Sequence, residues 1–198
     1  DYFGRQKNCY LKVFAPTHAT VGVINYKLER LVDLKKDVAT TLQSVFHSVE
    51  KYSSIHNMRV KDTELKDALQ DYNKKVIFIF DEISMVSGST LDDIDIILRN
   101  CCHLNKPMAN VQVLFIGDFF QLAPIWANKA PRCSNIAVSR GYAFQSHVWS
   151  QLNLAVIELK ENKRLQTSDE ATKVYATILN EVRVGNPENI GKLKGITR

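Results

Sequence analysis

Asp81 and Glu82 follow directly on an uninterrupted apolar run, Val76-Ile77-Phe78-Ile79-Phe80. A segment apolar at every position is covered on both faces, which places it in the middle of a parallel sheet. Ligands of open α/β sheets bind at the carboxyl ends of the strands. Two adjacent carboxylates there are costly unless a cation or a reaction uses them. The first can hold magnesium through its water shell while phosphate oxygens complete the octahedron. The second points elsewhere and can orient or deprotonate an attacking water. The pair also fits a plainer role, two acids favoured by the dipole at a helix N-terminus.

A second loop favours the chemical reading. Val111-Gln112-Val113-Leu114-Phe115-Ile116 reads as another strand and runs into Gly117-Asp118-Phe119-Phe120-Gln121-Leu122-Ala123-Pro124. If the two strands are parallel neighbours, this loop stands beside Asp81 and Glu82. The Gln121 amide is both donor and acceptor, so it can touch a terminal phosphate and the attacking water together. Phe119 and Phe120 could stack on bases, although at least one of them is expected to pack inside.

The surrounding pattern supplies the frame. Leu11 to Ala15 reads as a strand closed by Pro16. Val21, Ile24, Leu28 and Leu31 follow at helical spacing, and Thr40 and Thr41 can cap a short helix through Phe46. Leu65, Ala68, Leu69 and Tyr72 form one face of a further helix. Ser89 and Thr90 precede Asp92 and Asp93 as a capping box, starting a helix with Leu91, Ile94, Leu98 and Cys101 along one stripe. Ala155 to Leu159 is a third apolar segment. A helix is expected over Thr167 to Val182, stopped by Gly185-Asn186-Pro187. Strands alternating with helices specify a doubly wound α/β domain.

Composition bounds the answer further. The 198 residues are 45% hydrophobic and 24% charged, which is globular usage and argues against disorder. The apolar runs are far shorter than the roughly 20 residues a membrane-crossing helix needs, and no secretory leader is visible. Residues 76–125 hold 2 Lys or Arg against 6 Asp or Glu, whereas residues 1–75 hold 13 against 9 and residues 126–198 hold 11 against 6. An acidic centre between basic flanks suits a cation site beside surfaces that meet phosphate, and equally a mixed solvated surface. Cys9, Cys101, Cys102 and Cys133 show no Cys-x-x-Cys spacing, so a reducing intracellular compartment is expected. Contiguous Cys101, Cys102 and His103 rarely reach one tetrahedral zinc site, which favours ordinary thiols at a helix end.

Asp81-Glu82-Ile83-Ser84-Met85 together with Gly117-Asp118-Phe119-Phe120-Gln121-Leu122-Ala123-Pro124 resembles motifs II and III of the petite-integration-frequency (PIF) DNA helicases. These belong, with the RecD-type enzymes, to the 5′-to-3′ branch of helicase superfamily 1. Tyr142-Ala143-Phe144-Gln145-Ser146 leading to Trp149 is similar to that family as well, as is Leu159 through Arg164 to Gln166. Ala15-Pro16-Thr17 resembles motif Ia. Thr41-Leu42-Gln43-Ser44 resembles its Thr-Ile-His-Ser element, with Gln43 in place of His.

The resemblance implies a RecA-like, P-loop NTPase type of α/β fold. Residues 1–155 would form most of a first motor domain and residues 156–198 would begin a second. It implies an ATP-dependent DNA helicase acting on single-stranded and forked duplex DNA. Asp81 would hold Mg2+ and Glu82 would be the general base. Gln121, with Gly117 and Asp118, would sense the γ-phosphate of ATP. Arg164 would act as an arginine finger, and Pro16, Thr17, Thr41 and Gln43 would touch DNA phosphates. For Arg164 taken alone, a surface arginine between Lys160, Lys163 and solvent fits equally well. The compartment would be any that holds DNA: nucleus, mitochondrion, nucleoid or viral replication site.

No Gly-x-x-x-x-Gly-Lys-Ser/Thr occurs in the 198 residues. By the resemblance that loop would fall ahead of Asp1, and motifs V and VI after Arg198. These residues alone are therefore expected to bind ATP poorly. The rival expectation is a nucleic-acid-binding or interaction module of the same fold that no longer hydrolyses ATP.

Overall fold

The computed structural model describes residues 8–32, 38–47, 59–124, 141–161, 170–186 and 191. The chain divides into two compact units, Asp1–Asn153 and Leu154–Arg198. In the first, four strands form one parallel sheet. In chain order these are β1 (Cys9–Phe14), β2 (Ala39–Thr40), β5 (Lys75–Phe80) and β6 (Gln112–Phe115), and across the sheet they lie in the order β2-β1-β5-β6. Helix α1 (His18–Val32) connects β1 to β2, and α4 (Gly88–Cys102) lies between β5 and β6. A short α2 (Leu42–Val45) runs into β3 (Phe46–His47), which pairs antiparallel with β4 (Arg59–Val60) ahead of α3 (Thr63–Gln70).

The parallel register Phe14↔Phe80 and Phe80↔Phe115 aligns three phenylalanines on one face of the sheet. Phe14, Phe46, Phe78 and Phe80 are almost wholly buried there, with ring centroids 5.0–6.3 Å apart. Leu65 and Ala68 of α3 and Leu91, Ile94, Ile97 and Leu98 of α4 complete this core. Burying each of these phenylalanine, leucine and isoleucine side chains contributes about 1.5–3 kcal/mol. The other face is less covered: β6 is the edge strand, and Leu114 and Ile116 stand 49% and 45% exposed.

At the opposite edge a side chain replaces a neighbouring strand. The N–H and C=O of buried Ala39 point away from β1, and Asn25 of α1 accepts from the first at 2.7 Å and donates to the second at 3.0 Å. The amide thereby satisfies two groups that an uncapped edge would leave unpaired.

Four expectations are corrected. The cap of α4 is Ser87, whose hydroxyl accepts the Thr90 N–H at 3.1 Å; Ser89 and Thr90 lie inside the first turn. Tyr72 is beyond α3 and 94% exposed, because that helix is closed at Asp71, whose N–H reaches the Asp67 carbonyl. Ile97 joins the buried stripe of α4, and Cys101 is only half-buried at its end. Ala155–Leu159 is not a strand: Val156, Ile157 and Leu159 are 86–90% exposed, and no described strand pairs with them. Apolar residues become a strand only where a ladder partner exists.

In the second unit, α6 (Glu170–Arg183) buries Ile178. It ends at Gly185, whose φ of +82° lets its N–H reach the Val182 carbonyl while the Asn186 N–H reaches Glu181. The expected residues Thr167 to Asp169 and Pro187 lie outside the described residues, as does Cys133.

Candidate active site

Because β2, β1, β5 and β6 are parallel, the loops that follow them all leave from one edge of the sheet. Across that edge they carry, in order, Thr41 and Gln43, then Pro16 and Thr17, then Asp81 and Glu82, then Gly117, Asp118 and Gln121. Three strand spacings of about 4.8 Å separate the ends of this row. The sheet brings nine of the ten sequence-derived site residues to one edge. The tenth, Arg164, lies outside the described residues.

The two acids are held by backbone bonds on either side. The Asp81 N–H donates to the Phe14 carbonyl at 2.8 Å, and the Ile83 N–H donates to the Ile116 carbonyl at 2.9 Å. Between these anchors Glu82 adopts φ 52°, ψ 53°. This left-handed conformation in a non-glycine residue costs on the order of 1–3 kcal/mol and persists only when its surroundings impose it. Here the imposing groups are the ends of β1 and β6. The Glu82 N–H turns toward Asp81 Oδ1 at 3.2 Å, and a 3₁₀ turn, Ile83–Met85, follows. One oxygen of Asp81 is thus engaged by backbone, and both acids remain half-exposed.

Gly117 sits flush against this bend. A Cβ there would lie 2.9 Å from the Ile83 nitrogen and 3.1 Å from Ile83 Cγ2, so any larger residue would push β6 away from the acids. Asp118 then shapes the loop. Its carboxylate accepts the Phe120 N–H at 3.1 Å and the Gln121 Nε2 at 3.0 Å, while its carbonyl accepts the Gln121 N–H at 3.0 Å. Asp118 is therefore a positioning residue that fixes which way the exposed Gln121 amide faces.

Phe119 turns inward. It meets Tyr142, Phe144 and Trp149 edge-on at 4.9–6.1 Å, and Trp149 stacks on Phe115 at 5.0 Å. Phe120 is 65% exposed. The Tyr142–Ser146 segment, which includes a 3₁₀ turn (Ala143–Gln145), is a brace for this loop. Ser87 bridges to Tyr142, and Asp92 of α4 accepts the His147 and Val148 N–H groups at 3.2 and 3.0 Å at the start of α5 (His147–Gln151), whose cap, Ser146, accepts the Trp149 N–H at 3.1 Å.

Toward the other end, Thr17 caps α1 by accepting the Thr20 N–H at 3.2 Å. Thr41 is 4% exposed with its hydroxyl on Ser44 at 2.8 Å, so it shapes α2 from beneath. Pro16, Thr17 and Gln43 offer surface. The sequence reading missed Lys61, which stands beside Gln43, and Ser84, whose buried hydroxyl has no partner among the described residues. Neither has a pattern that periodicity would single out. No cluster of three or more His, Cys, Asp or Glu able to hold a metal occurs among the described residues.

The PIF1-like helicase family matches residues 34–191. Among curated proteins the chain is similar to an ATP-dependent DNA helicase PIF1 from Candida albicans, 32% identical over 133 residues, covering 67% of this chain and 14% of that protein. It is 36% identical over 109 residues to an ATP-dependent DNA helicase Pif1 from Campylobacter jejuni, covering 55% of this chain and 22% of that one. Among solved structures it resembles a Pif1 helicase from Bacteroides, with a TM-score of 0.61 and 27% identity over 93% of this chain and 38% of that chain. The chain therefore spans a minor part of the length of each relative.

Proposed function

The chain belongs to the PIF1-like helicase family, and on that footing we propose that it forms the nucleotide-hydrolysing part of an ATP-dependent DNA helicase. The observation that carries this reading is the shared sheet edge. Asp81, Glu82 and the Gly117–Gln121 loop follow two neighbouring parallel strands, with the Pro16–Thr17 and Gln43 segments on the next two.

The donor set fits a magnesium ion. Asp81 Oδ1 faces the Glu82 N–H, which leaves Oδ2 for a hard cation that takes its other ligands from water and phosphate. Bound MgATP supplies the phosphoanhydride to be cleaved and the cation that offsets its charge. Glu82 accepts a proton from the attacking water at its carboxylate. The left-handed backbone sets its direction independently of Asp81. Gln121, aimed by Asp118, donates to the terminal phosphate and accepts from that water. Arg164 contributes positive charge as an arginine finger, and residues 156–198 begin the second motor domain of the pair. Pro16, Thr17 and Gln43 lie along single-stranded DNA, so that changes at the phosphate end of the sheet edge reach the DNA end. The protein moves 5′-to-3′ and separates forked duplexes in a DNA-containing compartment. No helix among the described residues is long and apolar enough to cross a membrane.

Strand separation tests this reading. With ATP and Mg2+, a protein that carries these residues together with a Gly-x-x-x-x-Gly-Lys-Ser/Thr loop and a second motor domain should open a forked duplex whose loading strand has a free 5′ tail, and should leave a 3′-tailed one closed. A protein that binds both forks and opens neither under any nucleotide condition would be a binding module instead.

A further inference from the structure

The strand β4 and the residue after it alternate cleanly: Val60 is buried at 8%, while Arg59 and Lys61 on either side are exposed. Successive strand residues face opposite ways, so both cations project from the same outer side. Lys61 is held there at two points. Its N–H donates to the Val45 carbonyl at 2.7 Å, and its Nζ donates to the Gln43 carbonyl at 2.8 Å. The ammonium is thereby fixed beside Gln43, at the outer end of the sheet edge.

We infer that Lys61, with Arg59 beside it, holds the phosphates of single-stranded DNA where the strand passes Gln43. This rests on the helicase reading above and adds to it two cationic contacts. An ammonium carries three donors, and the Gln43 carbonyl occupies one, leaving two for phosphate oxygens. A side chain already ordered loses little freedom on binding. The neighbouring acids do not cancel the charge. Asp62 is turned inward, accepting the Lys12 ammonium at 2.8 Å and the Leu65 N–H at 3.0 Å. Asp93, which lines a small notch with Leu42, Gln43, Phe46 and Thr90, is pushed up to about 7 by burial and by the neighbouring Asp92, so it carries only part of a charge at neutral pH. The contacts run to phosphate, so they carry no base preference.

The test is the salt dependence of binding. A labelled oligothymidine is titrated with the full chain between about 50 and 200 mM salt. For single strands each lost phosphate contact lowers the slope of log affinity against log salt by roughly 0.7. Lys61→Gln should lower it by about that amount, and Arg59→Gln with Lys61→Gln by about twice as much. Lys61→Arg should restore the slope, which a merely structural role for the Nζ–carbonyl bond does not demand. Thermal unfolding of each variant checks that the fold survives. Wild-type slopes retained by both Gln variants would overturn the contact while leaving the helicase reading intact. A wild-type chain that fails to bind the oligonucleotide would overturn the helicase reading itself.

Discussion

Glu82→Gln, in a protein that carries these residues together with a Gly-x-x-x-x-Gly-Lys-Ser/Thr loop, is expected to lower DNA-stimulated ATP turnover by roughly 10²–10⁴-fold while nucleotide affinity changes little. The amide keeps the side chain's length and shape and removes only the carboxylate proposed to take the proton. Position 82 is held left-handed between backbone bonds from Asp81 to the Phe14 carbonyl and from Ile83 to the Ile116 carbonyl, and the substitution leaves those bonds in place. Asp81 keeps its place at the end of β5, so the proposed metal ligand is undisturbed. Steady-state turnover and equilibrium binding of a fluorescent nucleotide together check this split. Equal losses in both would mean that Glu82 binds nucleotide rather than activating water.

Arg164→Ala carries the second large effect. An arginine finger contributes about 10³–10⁵ in rate to phosphoryl transfer in related chemistry, so turnover should fall by a comparable factor with ATP affinity nearly retained. Lysine at position 164 should rescue little, since a point charge cannot reproduce the planar fork of donors. Single-turnover hydrolysis with enzyme in excess measures the chemical step free of product release. A rate unchanged in Arg164→Ala would return Arg164 to the role of a surface cation among Lys160 and Lys163.

The chemistry-bearing stretches were legible because they combine two strong signals. Val76 to Phe80 is apolar throughout, which only a central strand allows, and it ends on two carboxylates; the structure makes it β5, paired in parallel on both sides. The Gly117–Pro124 loop was legible for the same reason, and the close approach of Gly117 to Ile83 explains why glycine stands there. The left-handed turn at Glu82 was not legible. It is imposed by bonds from the ends of β1 and β6, which are remote in sequence.

Other differences have equally local causes. Ser87, Ser89 and Thr90 are all competent caps, and spacing to Asp92 favoured the later two. The fold has a different use for Asp92, whose carboxylate accepts the first two N–H groups of α5 across the structure. The two-residue strands β2, β3 and β4 are too short to show periodicity. Ala155 to Leu159 has strand composition and lacks a partner among the described residues. Lys61 is one lysine among 26 cations in sequence, and only the Gln43 carbonyl distinguishes it.

The central claim is that the carboxylates at the end of β5 serve an ATP-driven motor that single-stranded DNA stimulates. It is tested most directly in a protein that carries these residues together with a Gly-x-x-x-x-Gly-Lys-Ser/Thr loop and a second motor domain, by measuring ATP hydrolysis with and without single-stranded DNA, in Mg2+ and in its absence. Hydrolysis that requires Mg2+ and rises steeply and saturably with added single strand is the predicted result. Tight binding of single-stranded DNA with no ATP hydrolysis in any combination would contradict it, leaving the sheet edge as a nucleic-acid-binding surface without a motor.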